Sequence, residues 1–73
     1  MTFVDWLSHH IKRDSPLGDL ARDVSHDKEF PTSNSKEAIE SHLRRKNACH
    51  EAINTFRRAW SSYQTYQKNH PEL

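Results

Sequence analysis

Glycine occurs once in the 73 residues, at Gly18, and cysteine once, at Cys49. One cysteine makes an intrachain disulfide impossible, so an oxidising compartment is not needed for stability and a reducing cytoplasm is expected. With so little glycine and no stretch alternating apolar and polar residues, hairpins and sheets have no signal. No run approaches the roughly 18 apolar residues that span a bilayer, and the N-terminal stretch is polar where a signal peptide has its apolar core. A soluble, unprocessed product with no membrane partner is the expectation. Only 33% of the residues are hydrophobic, near the lower limit for a chain that must bury a core. Repeats and low-complexity tracts are absent.

Against that scarcity stand two Trp, three Phe and two Tyr, each able to contribute several kcal/mol when buried. Their spacing is helical. Phe3, Trp6, Leu7 and Ile11 share one stripe, predicting a first helix from about Thr2 to Lys12. Ser15 followed by Pro16 reads as an N-cap and first turn; the helix it opens buries Leu17, Leu20, Ala21 and Val24 and ends near Asp27. Pro31 in "EFPTSNS" breaks the chain, with Phe30 plugging the core from a loop. Asn34, three residues before Glu37, reads as the cap of a third helix carrying Ala38, Ile39 and Leu43 inward. Beyond Asn47, the residues Cys49, Ala52, Ile53, Phe56, Trp60 and Tyr63 trace the strongest apolar stripe in the chain, with Asn69 and Pro71 as its stop. The expected fold is all-α: one small orthogonal bundle of four or five helices spanning 1–73, with its core in about 2–67 and a frayed tail in 68–73.

In this order and spacing "TFVDWL", "DSPLGDLARDV", "DKEFP", "IESHL" and "FRRAWSSY" resemble the YozE-like family of small bacterial proteins. The most specific elements are Asp27, Phe30 and Pro31, and the pattern Phe56, Ala59, Trp60, Tyr63. The resemblance covers roughly residues 2–66. It implies a helical bundle similar to sterile alpha motif domains, brings no catalytic residues, and suggests binding to protein or nucleic acid.

Net charge is +1, but the distribution is uneven. Residues 14–40 carry seven acids (Asp14, Asp19, Asp23, Asp27, Glu29, Glu37, Glu40) against Arg22, Lys28 and Lys36, a balance of −4; residues 41–68 carry six bases (Arg44, Arg45, Lys46, Arg57, Arg58, Lys68) against Glu51 alone, a balance of +5. Arg44, Arg45, Lys46, Arg57 and Arg58 are the candidate partner-binding residues. Arg57 and Arg58 stand about 100° apart on a helix, so Arg57 flanks the apolar stripe and Arg58 points nearly away from it. Neither has an acid three or four positions away. They either meet phosphates together with the third-helix bases, meet an acidic protein, pair across the fold with Asp19, Asp23 or Glu40, or stay solvated. Arg44, Arg45 and Lys46 also complement the helix macrodipole without any partner. Asp19, Asp23 and Asp27 form a second, acidic surface on the outer face of the second helix. Acidic and basic faces on one small domain allow salt-dependent self-association, which is not expected to be obligate.

Chemistry beyond binding lacks its components. His9 and His10 diverge by about 100°, as do Cys49 and His50, and none of the six histidines shows structural-zinc spacing; no metal and no cofactor is expected. His10 and His42 read as residues of the core's edge. No strand-to-helix elbow sharpens a serine, Cys49 lies on an apolar stripe, and a bundle this small leaves little room for a pocket of a few hundred cubic ångströms. The expectation is a non-enzymatic module that binds another protein as adaptor, regulator or inhibitor, with nucleic acid as the alternative. A sequence pI of about 8.0 lies below the value above 9 typical of dedicated DNA-binding domains.

Overall fold

The computed structural model describes residues 1–46 and 49–69. They form four helices: α1 (Phe3–Ser8), α2 (Pro16–His26), α3 (Lys36–Arg45) and α4 (His50–Asn69). No strand and no fifth helix occurs among the described residues. The expected break at Asn47 and stop at Pro71 lie outside them. α4 runs through Lys68 and Asn69, two residues into the stretch expected to fray.

α4 packs against each of the other three helices. Its stripe of Ile53, Phe56, Ala59, Trp60 and Tyr63 is buried, as the periodicity predicts. Phe3, fully buried, stands at the centre of an aromatic cluster: its ring centroid lies 5.1 Å from Trp60, 5.6 Å from Phe56, 5.6 Å from Tyr63 and 5.9 Å from Trp6. The Phe56 and Tyr63 contacts are edge-on, the arrangement favoured by the ring quadrupoles. Leu7, Leu20, Ala21, Val24 and Ile39 complete the core, and Phe30 and Ile11 pack against it from loops. Large rings thus offset the low apolar fraction.

Three local expectations need correction. The first helix ends at Ser8, not Lys12, because the chain tightens into turns: His9, His10 and Arg13 donate to the carbonyls three residues back, of Trp6, Leu7 and His10. Ser8, His9 and His10 are mediocre helix formers, and the Arg22 guanidinium takes the released carbonyls of Ile11 and Arg13 at 2.6 and 3.2 Å. The turn then presses on α2 at Gly18, where an added Cβ would stand 1.9 Å from the Arg13 carbonyl oxygen. Only glycine fits there.

The second correction concerns Asn34. Ser35 caps α3, its hydroxyl accepting from the Ala38 amide at 3.3 Å. Asn34 works across the fold instead: Oδ1 accepts from the Phe3 amide at 2.9 Å and Nδ2 donates to the Tyr63 hydroxyl at 2.9 Å. That hydroxyl, on a fully buried ring, donates in turn to the Met1 carbonyl at 2.7 Å. One loop side chain therefore joins the start of α1 to α4 and satisfies a buried phenol.

Third, Cys49 is exposed. It precedes the first turn of α4, where its carbonyl accepts from the Ile53 amide at 3.1 Å, so the apolar stripe begins only at Ala52 and Ile53.

Candidate functional site

The five candidate cations do not form one surface. Glu40, on α3, collects two of them. Arg57 reaches it as a fork, Nε to Oε1 at 2.9 Å and Nη2 to Oε2 at 3.3 Å, and Arg44 adds a longer bond to Oε2 at 3.4 Å from one turn along the same helix. The hydrogen bond from Arg57, seconded by the charges of Arg57 and Arg44, holds the Glu40 carboxyl below its ordinary range against the opposing effect of burial. The same bond holds Arg57 above its own. Lys46 stands 3.6 Å from Glu29, both side chains largely exposed. Arg45 and Arg58 are exposed and form no ion pair among the described residues. Of the alternatives read from the sequence, pairing across the fold with Glu40 is the one Arg57 adopts.

Arg58 turns the other way, as the 100° step requires. It lines a groove of about 660 Å³ between α2 and the first half of α4. Leu17, Leu20, Ala52 and Ala59 contribute apolar surface; Asp19, Asp23 and Glu51 contribute carboxylates. A cleft of this size was not expected in so small a bundle. It exists because the facing side chains are short: Ser15 and Pro16 on one side, and Ala52, Thr55, Ala59 and Ser62 on the other. Cys49, expected on the buried stripe, instead lines this groove.

The acidic surface also divides. Asp23 is exposed at the groove, and Asp19, in the first turn of α2 where the macrodipole favours it, accepts a hydrogen bond from Arg22. Asp27 does not belong with them. It is the C-cap residue of α2, its carboxylate accepting from His42 Nε2 at 2.7 Å and from the Glu29 amide at 3.0 Å. The His42 bond is the main reason its carboxyl sits below the ordinary range, with burial opposing and the Glu29 amide and the charges of His42 and Lys46 adding to the effect. His42 is buried, its ring centroid 5.4 Å from that of Phe30 in a T-shaped contact. Asp27, His42 and Phe30 thus tie the end of α2 to α3 and are structural.

His10, half-buried, stands 4.6 Å from Trp6, and its Nδ1 is buried without a hydrogen-bond partner. Among the described residues no group of three or more His, Cys, Asp or Glu could hold a metal ion. No described helix is long and apolar enough to cross a membrane. The sequence reading has Glu40 among the partners open to Arg57 but misses that it also collects Arg44, and it misses Glu51 as a wall of the groove. Glu40 is legible in part, four residues before Arg44; Glu51 carries no signal of its own.

No curated protein and no solved structure matches the chain. A family model does: the one described as the YozE SAM-like fold covers residues 2–65, from the cap of α1 to the last turns of α4. With four helices in the expected order around Phe3, Phe56, Trp60 and Tyr63, the chain belongs to the YozE SAM-like family.

Proposed function

We propose that this chain is a non-enzymatic cytoplasmic module that binds another protein. The observation carrying the reading is how its cations are used. Arg44 and Arg57 share the one carboxylate of Glu40, and Lys46 faces Glu29. Arg58 opens onto a groove holding Asp19, Asp23 and Glu51. A phosphate backbone lying along this side of the molecule would meet those three carboxylates, and their repulsion would offset what Arg58 contributes. A mixed-charge groove with an apolar floor suits a protein partner, whose interfaces combine an apolar centre with a polar rim. The non-enzymatic reading rests on the same groove: its carboxylates are exposed and one is already bound by Arg22, so no low-dielectric wall sets their acidities apart for acid–base work.

Exposure of Arg45 and Arg58 favours the second reading, nucleic acid. The two separate in one experiment. Affinity capture with nuclease treatment is expected to recover a stoichiometric protein complex, and labelled DNA or RNA is expected not to shift at about 50 mM salt, where backbone-driven binding is strong. A shift lost on Arg45→Ala/Arg58→Ala, with nothing captured after nuclease, overturns the protein reading.

A further inference from the structure

We infer that the groove between α2 and α4 docks one face of a basic amphipathic helix supplied by the protein partner. The inference rests on the protein-binding reading and names the chemistry of the partner.

Size sets the first constraint. From Cys49 to Ser62 the groove follows α4 for about 20 Å at 1.5 Å per residue. A complete helix of that length, 10–12 Å across, occupies about 1,600–2,300 Å³, well beyond the 660 Å³ present. The groove therefore takes one row of side chains while the rest of the helix lies along the two lips. Its floor of Leu17, Leu20, Ala52 and Ala59 offers apolar contact for residues at helical spacing, the helix-in-groove mode of recognition.

Charge sets the second. Three carboxylates line the groove against one guanidinium, and Asp23 and Glu51 are exposed with no ion pair among the described residues. Lysine or arginine flanking the apolar row would complete both. An acidic helix would face the two uncompensated carboxylates, and Arg58 could answer only one of its charges.

The test uses two synthetic probes of about 14 residues, the length that spans the groove: an amphipathic Leu/Lys helix and its Leu/Glu counterpart. Each is titrated into isotope-labelled full chain at low salt. The Leu/Lys probe is expected to give saturable amide shifts concentrated at residues 15–23 and 49–62. It should bind at least about tenfold more tightly than the Leu/Glu probe, a difference of about 1.4 kcal/mol. Asp23→Lys/Glu51→Lys should weaken it by about tenfold or more. Asp5→Lys/Glu37→Lys, which changes net charge equally away from the groove, should not. Asn54→Trp, at an exposed helix position lining the groove, should block the probe while melting at the wild-type temperature. Shifts centred on Arg44 and Arg57, equal binding of both probes, or equal loss in both charge-reversal variants overturn the inference. So does concentration-dependent sedimentation of the chain alone that Asn54→Trp abolishes, which gives the groove to a second copy. Failure of the groove and of the underlying reading are distinguishable: a nuclease-resistant partner captured equally by wild type and by Asp23→Lys/Glu51→Lys removes only the groove, whereas capture that requires nucleic acid removes both.

Discussion

Asn34→Ala removes two hydrogen bonds at once. Phe3 is the first residue of α1 and its amide has no intrahelical acceptor; Asn34 Oδ1 supplies one, while Nδ2 donates to the Tyr63 hydroxyl. Tyr63 retains its own bond to the Met1 carbonyl in the variant, so the phenol is not left without an acceptor. At about 0.5–1.5 kcal/mol net for each bond, the expected loss is about 1–3 kcal/mol. For a domain of this size each kcal/mol lowers Tm by about 4–8 °C. Urea unfolding at neutral pH is a suitable assay, followed by fluorescence of Trp6 and Trp60, both buried in the aromatic cluster. A double-mutant cycle with Tyr63→Phe isolates the cross-fold bond: a coupling of about 0.5–1.5 kcal/mol is expected. Ser35→Ala should cost about 1 kcal/mol on its own, since Ser35 is the cap. The opposite pattern, with Ser35→Ala silent, Asn34→Ala costly and no coupling to Tyr63, would mean that Asn34 caps α3 and would refute the network.

Gly18→Ala should destabilise by about 1–3 kcal/mol despite the better helix propensity of alanine, because the new Cβ meets backbone of Arg13 that cannot rotate away; a variant as stable as wild type in urea refutes the close approach. Burial first, then the charges of Arg13 and His9, holds His10 below its ordinary 6.5. The unfolded chain therefore takes up the proton first, and the contribution of His10, whole above pH 6.5, is lost as pH falls below it. The Tm difference between wild type and His10→Leu should accordingly move against wild type from pH 8 to pH 5, and a constant difference rejects this. Asp27 and Glu40, both held below the ordinary carboxyl range, contribute stability that is present above about pH 4 and lost as pH falls through their folded values. Asp27→Asn and Glu40→Gln should each flatten the acid limb of stability below about pH 5; an unaltered limb in both variants contradicts the assignment.

How much of this was legible follows from the range of the interaction involved. The burial of Phe56, Trp60 and Tyr63 is a property of one helix, set by a period of 3.6 residues, and it was read correctly from spacing alone. So was the Ser15–Pro16 start of α2. Boundaries failed where a distant group decides them. Arg22 reaches back to the carbonyls of Ile11 and Arg13, and this lets the chain leave the helix four residues early. Asn34 and Ser35 are both good N-caps on propensity, so local sequence could not choose between them; the amide of Phe3, 31 positions away, drew Asn34 off and left Ser35 to cap.

The surface was less legible for the same reason. Helical geometry fixes that Arg57 and Arg58 diverge, but whether a guanidinium is available to a partner depends on what the fold places opposite it. Glu40 lies 17 residues before Arg57, and its fork with that arginine converts a cation at the edge of the stripe into a strut between α3 and α4. Arg58, one residue further on, meets the lip of α2, where Asp19 and Asp23 had been left by the need of that helix for a polar outer face. An acidic segment and a basic segment that look like two docking faces in sequence are therefore folded partly onto each other, through Glu40 with Arg44 and Arg57 and through Glu29 with Lys46. At the groove the unpaired carboxylates of Asp23 and Glu51 outnumber the one guanidinium, Arg58, so the local balance is negative although the chain as a whole is +1. A partner selected by that surface reads the local sign, so it should be basic where it touches α2 and α4.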